Sequence, residues 1–284
     1  MKKLIAFFLS LGLLTLVFAC EKQQQQSSGS GIQNNASTTQ TRTHTIEVAG
    51  STSVTPLMEL LVAEYVKTHP NIRININGTG SSDGIRAAAD GTSELGMSSR
   101  ALTPTEKGYA LDEKIIAIDG IAVIVNPASP LNDLSIEQIR NIYSGTITDW
   151  NQISSGKSGR IAVVSREPGS GTRGAFEDLV GIKSLVLGGV EFDGTGAIKA
   201  EISRNTEAIG YISLGSVDSS VKAINVQTVA ASSANVVNGI YPIARPFIVI
   251  SRRNINPEAQ SFLDWILSPQ GQTIVGRSWI RVDN

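Results

Sequence analysis

The chain has one cysteine, Cys20, and two histidines, His44 and His69, in 284 residues. A single thiol excludes a disulfide framework. Two histidines and no cysteine cluster leave nothing from which to assemble a structural zinc site, and no carboxylate pair stands out by its spacing. Aromatic residues are 5% of the chain, so a core must come from Ile, Val, Leu and Ala, the usual filling of an α/β domain. A basic excess is also missing. Without Lys2 and Lys3, 22 basic residues face 25 acidic ones, a net charge of −3. That balance argues against nucleic acid and against a polybasic membrane surface. No internal repeat is visible. The one long apolar run, Leu4 to Phe18, is too short for an ordinary membrane span.

That run follows the basic start Met1-Lys2-Lys3 and leads to Val17-Phe18-Ala19-Cys20, which makes residues 1–19 a secretory signal. The small Ala19 before the sole cysteine resembles a bacterial lipobox. In lipoproteins of that kind the cysteine becomes the lipidated first residue, so Cys20 is the expected lipidation site. Residues 20–43 carry Gln23 to Gln26, Ser27-Ser28-Gly29-Ser30-Gly31 and Asn34-Asn35. With almost nothing apolar to bury, this stretch reads as a flexible tether between lipid and domain.

From His44 onward strands and helices alternate. Thr45–Ala49 reads as a strand, Thr55–Thr68 as a helix ended by His69-Pro70, and Ile72, Ile74 and Ile76 as an alternating strand. Ile85–Ala89 starts a helix. Ile115–Ile118 and Ile121–Val125 read as strands interrupted at Asp119-Gly120. Ser135 caps a helix to Tyr143. Ile161–Val164, Ala208–Ile212, Val221–Val226 and Phe247–Ile250 read as strands, and Pro257–Leu267 as a helix. The order predicts an α/β fold with a largely parallel sheet.

In such sheets ligands sit beyond the carboxyl ends of strands. Four strand ends here carry one chemistry. They are Gly50-Ser51-Thr52-Ser53, Gly78-Thr79-Gly80-Ser81-Ser82-Asp83-Gly84, Gly96-Met97-Ser98-Ser99-Arg100 and Arg166-Glu167-Pro168-Gly169-Ser170-Gly171-Thr172-Arg173. The last precedes an apolar helix start at Ala175-Phe176. Free backbone N–H groups and the helix dipole favour an anion at such a point. Ser170 and Thr172 add hydroxyls, and Arg166 adds a planar fork suited to an oxyanion. Any one of these turns could simply cap a helix. Four together predict an anion cleft.

Competing motifs fare worse. Gly80-Ser81-Ser82-Asp83-Gly84 fits G-x-S-x-G, but both histidines precede Ser82, whereas a hydrolase of that type needs its histidine downstream. Gly156-Lys157-Ser158 lacks the first glycine of a P-loop, since Asn151 stands there. Trp150, Trp265 and Trp279 lie outside the hydroxyl-rich strand ends and read as packing residues.

With Ala49-Gly50-Ser51-Thr52-Ser53-Val54, Gly80-Ser81-Ser82, Leu95 to Arg100 and Arg166 to Thr172, the chain resembles the substrate-binding lipoproteins of bacterial phosphate-specific ABC transporters. Asp119 to Pro127, Ile142-Tyr143-Ser144-Gly145, Ala208-Ile209-Gly210-Tyr211, Tyr241-Pro242-Ile243-Ala244-Arg245-Pro246 and Ser268-Pro269-Gln270-Gly271-Gln272 match as well. The resemblance covers the chain from His44 onward. It implies the type II two-lobed periplasmic-binding-protein fold, with mixed, mostly parallel sheets and two crossover hinge strands. One lobe would hold residues 44–120 and 241–284, the other 121–240. The crossovers would lie near Ile118–Val123 and Ile240–Arg245.

Carried over by position, the implied phosphate ligands are Ser51, Thr52, Ser53, Ser81, Ser99, Arg166, Ser170, Gly171 and Thr172. Ser82, Ser98, Arg100 and Asp83 form an outer set. One departure stands out. Many relatives place an aspartate where Ser99 is, to accept the proton of hydrogen phosphate and repel sulfate. Asp83, Glu167 or a serine hydroxyl is left to accept that proton here. The expected function is capture of inorganic phosphate outside the cytoplasmic membrane and delivery to ABC permease subunits. The expected protein is a lipid-anchored monomer of the cell envelope with no catalytic activity, cofactor or metal. The alternatives are another oxyanion (sulfate, molybdate or tungstate) on the same fold, or a surface adhesin or phosphatase.

Overall fold

The computed structural model describes residues 43–153, 156–182 and 189–282. The expected signal peptide, Cys20 and nearly all of the tether lie outside the described residues. The first strand group begins with β1 (His44–Gly50), α1 (Thr55–Tyr65), β2 (Ile72–Gly78), α2 (Ser81–Asp90), β3 (Leu95–Ser98) and the short α3 (Pro104–Lys107). β4 (Asp112–Val125) leads to β5 (Asp133–Leu134), α4 (Ile136–Tyr143), β6 (Ala162–Arg166), α5 (Gly171–Val180), β7 (Val190–Phe192), α6 (Gly194–Arg204) and β8 (Ala208–Ser213). Then come β9 (Lys222–Ala223), β10 (Asn225–Val226), α7 (Ser233–Val237), β11 (Ala244–Ser251), α8 (Pro257–Leu267) and α9 (Pro269–Val275).

The strands follow the order β2-β1-β3-β11-β4-β8-β6-β7, with β9 also on β4. β1 lies parallel to β2 and β3, and β6 parallel to β7 and β8, while β11 and β4 run antiparallel to their neighbours. The sheet is therefore mixed, with its parallel pairs in the two outer parts.

β4 joins those parts. Its first stretch, Asp112 to Gly120, pairs with β11, and its second, Ile121 to Val125, pairs with β8. The sequence reading placed a break at Asp119-Gly120. The structure instead runs one strand through it. The backbone stays extended at Gly120, where a side chain would be crowded: a Cβ would stand 3.0 Å from Val236 Cγ2. The chain returns beside the same point: Ile121 N–H donates to Ile243 O at 2.8 Å, and Tyr241 Oη–H donates to Ile121 O at 2.9 Å.

The alternation of side chains explains the unbroken apolar runs. On β11, Phe247 and Val249 enter the core with α1, α8 and α9, while Ile248 and Ile250 face Ile85 and Ala88 of α2. On β4, Ile121, Val123 and Val125 pack with Tyr143, Trp150 and Phe176, while Ala122 and Ile124 pack with Ile198 and Ile202 of α6. Strands covered by helices on both faces lose the hydrophobic–polar alternation of half-exposed ones. Trp150 is fully buried, Trp279 nearly so, and Trp265 lies partly buried against the α8 core.

Local signals set several boundaries. Ser135 accepts from Gln138 N–H while the Gln138 side chain accepts from Ser135 N–H, a reciprocal cap. Pro257 starts α8 after Asn256, whose side chain accepts from Ala259 N–H. Two expectations shift. α2 begins at Ser81 rather than Ile85, directly after Gly80 at φ +101°. The expected strand Val221–Val226 divides into β9 and β10, which pair with β4 and β5 respectively.

Candidate functional site

Each hydroxyl-rich turn sits where a strand delivers the chain to a helix. Gly50 ends β1 at φ +135°, and a Cβ there would lie 2.2 Å from Met97 O. Only glycine lets β1 pass β3 so closely. Gly50 O accepts from both Thr79 and Gly80 N–H at 2.8 and 2.9 Å, which ties the second turn to the first. Ser51 Oγ–H donates to Ser99 Oγ at 2.9 Å, and Ser99 N–H donates to Ser81 Oγ at 3.2 Å. Three turns of the first strand group thus form one buried hydroxyl cluster, since Ser51, Ser81 and Ser99 are all buried.

The second strand group faces this cluster. Arg166 ends β6, Ser170 is the N-cap of α5, and Gly171 and Thr172 open that helix. Ser170 Oγ accepts from Arg173 N–H at 3.3 Å, so its hydroxyl proton is left to donate. Gly171 lies so close to the first group that a Cβ would be 2.2 Å from Ser81 Oγ and 2.7 Å from Ser99 Oγ. The hydroxyls of Ser53 and Thr172 share a hydrogen bond at 2.7 Å. Ser82 N–H donates to Gly169 O at 3.1 Å.

Arg166 is 1% exposed. Its Nε and Nη2 donate to the Glu167 carboxylate, both at 2.7 Å, and Nη2 also donates to Thr52 Oγ1 at 2.9 Å. Its backbone N–H donates to Tyr211 Oη, which also bonds Ser165 Oγ at 2.8 Å. Burial pushes the Tyr211 phenol up to about 12, so it stays neutral and serves as a fixed dipole under the arginine. Tyr211 of β8 stacks on Phe176 of α5 with centroids 4.0 Å apart, which packs β8 against that helix.

Ser51, Thr52, Ser53, Ser81, Ser99, Arg166, Gly171 and Thr172 therefore converge on one locus, with Ser170 next to Gly171 at the helix start. In the outer set, Ser98 and Arg100 are engaged elsewhere. Ser98 Oγ–H donates to Arg100 O, and Ser98 Oγ accepts from Arg100 N–H, so this hydroxyl closes its own turn. Arg100 is held bidentately by Glu106 at 2.7 and 2.8 Å and reaches Ser82 Oγ at 2.9 Å. Asp83 is exposed and, with Thr52, Thr79, Glu167, Asp193 and Gly194, lines a cavity of about 510 Å³ beside Arg166.

One residue escaped the sequence reading. Thr195, at the start of α6, is buried, and its hydroxyl lies 3.1 Å from Ser53 Oγ, 3.4 Å from Thr52 Oγ1 and 3.4 Å from Arg166 Nη1. Its own N–H donates to Thr52 Oγ1 at 3.3 Å. Asp193-Gly194-Thr195-Gly196 has the same strand-end chemistry as the other turns. The strand before it, β7, has three residues and too little apolar pattern to announce itself. Among the described residues, no group of three or more His, Cys, Asp or Glu side chains could hold a metal ion, and no helix is long and apolar enough to cross a membrane.

A family model for a PBP superfamily domain matches residues 35–270. A Clostridium perfringens chain, described as a phosphate ABC transporter substrate-binding protein with bound phosphate, is 44% identical, with a TM-score of 0.82 over 84% of this chain and 100% of that one. This chain belongs to the PBP superfamily, among the substrate-binding proteins of phosphate ABC transporters. Similarity extends to an ABC-type phosphate transport receptor from Vibrio cholerae, at 34% identity and a TM-score of 0.70 over 84% of this chain and 99% of that one. Among curated relatives, phosphate-binding protein PstS 2 of Streptococcus agalactiae is 41% identical over 109 residues, which is 38% of this chain and 37% of that relative's length. In this substrate-binding protein, as the two-lobed fold of its neighbours leads one to expect, the converging turns lie between two strand groups. Hydroxyls, backbone N–H groups and one guanidinium can surround a tetrahedral oxyanion there.

Proposed function

We propose that this protein binds inorganic phosphate between two lobes outside the cytoplasmic membrane and delivers it to the permease subunits of an ABC importer. The observation that carries this reading is the meeting of Thr52 and Ser53 from one strand group with Arg166, Thr172 and Thr195 from the other, at 2.7–3.4 Å and with all but Thr52 buried. A dehydrated oxyanion needs a donor for every oxygen. Hydrogen bonds to a charged group contribute roughly 1.5–3 kcal/mol each, and a micromolar complex needs about 8 kcal/mol net. Five to eight such bonds, less desolvation and closure, reach that range. The ligand set is Ser51, Thr52, Ser53, Ser81, Ser99, Arg166, Ser170, Gly171 and Thr172, with Thr195 added.

The lobes are residues 44–120 with 241–284, and residues 121–240. What supports this division is that β4 changes partners after Gly120 and that Ile243 lies beside Ile121. Ser53 and Thr172 touch at 2.7 Å across the two strand groups, so an ion seated between these hydroxyls requires the lobes to separate. Phosphate then replaces hydroxyl-to-hydroxyl bonds with charge-assisted ones and favours the closed arrangement. The protein acts as a monomeric receptor and not as an enzyme, held at the envelope by a lipid on Cys20.

Calorimetric titration of the protein, stripped of bound anion, with phosphate and then sulfate at several pH values tests the reading. Phosphate binding without a sulfate signal is expected, with a proton acceptor other than a carboxylate at position 99. Equal or tighter binding of sulfate, molybdate or tungstate overturns the phosphate assignment and leaves an oxyanion receptor.

A further inference from the structure

A deeply buried ion pair lies outside the ligand set. Asp119 and Arg245 have side chains that are each 1% exposed. They face each other in the β4–β11 pairing, one residue before β4 changes partners. Arg245 Nε and Nη2 donate to Asp119 Oδ2 at 3.1 and 3.0 Å. A buried ion pair adds little stability over a well-packed apolar pair, so stability alone does not account for it.

Its remaining bonds lead in two directions. Asp119 Oδ1 accepts from Ser213 Oγ–H at 2.8 Å, and Ser213 belongs to β8 in the other strand group. Arg245 Nη1 donates to Ser99 O at 3.3 Å, in the hydroxyl cluster of the anion site. Ser99 in turn holds Ser81 through its N–H and takes the Ser51 hydroxyl. A continuous chain of hydrogen bonds thus runs from β8, through the point where the backbone crosses, to the site. The surroundings are close-fitting: a Cβ on Gly215 would lie 2.4 Å from the Trp279 indole, so that ring rests on the loop after β8.

We propose that Asp119 and Arg245, with Ser213, form a positioning group for ligand binding, coupling the angle between the two strand groups to the seating of Ser99. This rests on the oxyanion-receptor reading above. None of the three belongs to the proposed ligand set; they act through Ser99. When β8 swings away from Asp119, the pair loses its Ser213 bond, and the Ser99 carbonyl loses a fixed donor. The hydroxyl cluster is then held in its binding geometry only while the lobes are closed.

Three variants test this. Ser213→Ala removes the bond from β8 and keeps the ion pair. Arg245→Lys keeps the charge but replaces the planar fork, whose separate nitrogens reach Asp119 and Ser99, with one shorter ammonium. Ser213→Thr keeps the hydroxyl. Phosphate titration and stopped-flow release are measured well below each variant's Tm. Ser213→Ala is expected to weaken binding about three- to tenfold through faster release, Arg245→Lys at least tenfold, and Ser213→Thr less than twofold. Amide exchange at Ser99, whose N–H is bonded to Ser81, is expected to accelerate in the first two variants without ligand. Lower Tm with unchanged affinity, release rate and Ser99 exchange would mean the pair only stabilises the fold. If the unaltered protein binds no phosphate, the receptor reading falls, and Ser99 exchange alone decides the coupling.

Discussion

Arg100 and Arg166 look alike in the sequence. Each ends or follows a short buried strand, each adjoins serines, and each is gripped by a nearby glutamate at 2.7–2.8 Å. Their remaining partners differ. Arg100 donates to Ala101 O and Ser82 Oγ, both within its own strand group, and its stem lies 3.1 Å from where a Cβ on Gly174 would be. Arg166 donates to Thr52 Oγ1 in the opposite strand group and to Thr195 Oγ1, and it is buried among the converging turns. A cation next to a glycine- and serine-rich turn is thus no guide to its role. What matters is whether its free N–H groups reach across to the other lobe or are used up at home.

That contrast can be broken most sharply at Arg166. Arg166→Ala is expected to weaken phosphate binding at least tenfold, because it removes charge-assisted bonds of roughly 1.5–3 kcal/mol each; calorimetry showing unchanged affinity ends its assignment. Next comes Gly171→Ala, expected to weaken binding about tenfold, since its Cβ would meet Ser81 Oγ at 2.2 Å and force the strand groups apart. Titration checks it, and tight binding in this variant would mean the helix start can retreat without cost. Thr172→Val should lose about three- to tenfold by deleting one donor while keeping the shape, measured in the same way.

The other side of the comparison has smaller effects. Arg100→Ala is expected to shift affinity less than twofold and to lower Tm by roughly 2–4 °C, the scale of about 1 kcal/mol in a domain of this size. A large affinity loss would put Arg100 in the site after all. The smallest effect is a pH slope. Burial pushes the Glu106 carboxyl up, but bonds from Arg100 and Thr103 outweigh it and hold the carboxyl below the ordinary glutamate range. A carboxyl depressed in the folded state contributes stability above its unfolded pKa, and that contribution is lost as pH falls through the folded value. Glu106→Gln should therefore flatten the acid limb of Tm against pH; an unaltered limb would show that the pair adds nothing.

Much of the fold was legible because its signals are local. Pro257 to Leu267 is a helix in both readings, since Asn256 and Pro257 mark its start and the apolar spacing runs to Leu267. Ser135 announces α4 in the same way. β4 was misread because Asp119-Gly120 has the composition of a turn. Only pairing with β11 on one side and β8 on the other keeps it extended. For the site, four of the five contributing turns were visible as glycine and hydroxyl clusters after strands. Thr195 was not, because β7 gains its strand character from pairing with β6 and not from its own residues.

By itself the sequence determined the chemistry on offer at the strand ends: hydroxyls, backbone N–H groups and a guanidinium, on an alternating α/β frame, with little charge to spare. Those are properties of residue type and short-range spacing, and the chain carries them wherever it folds. Tertiary structure alone decided which groups meet. Ser53 and Thr172 are separated by 119 positions, Asp119 and Arg245 by 126, and no local rule relates either pair. They come together because β4 crosses between two strand groups whose cores form on opposite sides of that crossing. Directional hydrogen bonds then hold only where packing has already brought donor and acceptor within about 3 Å.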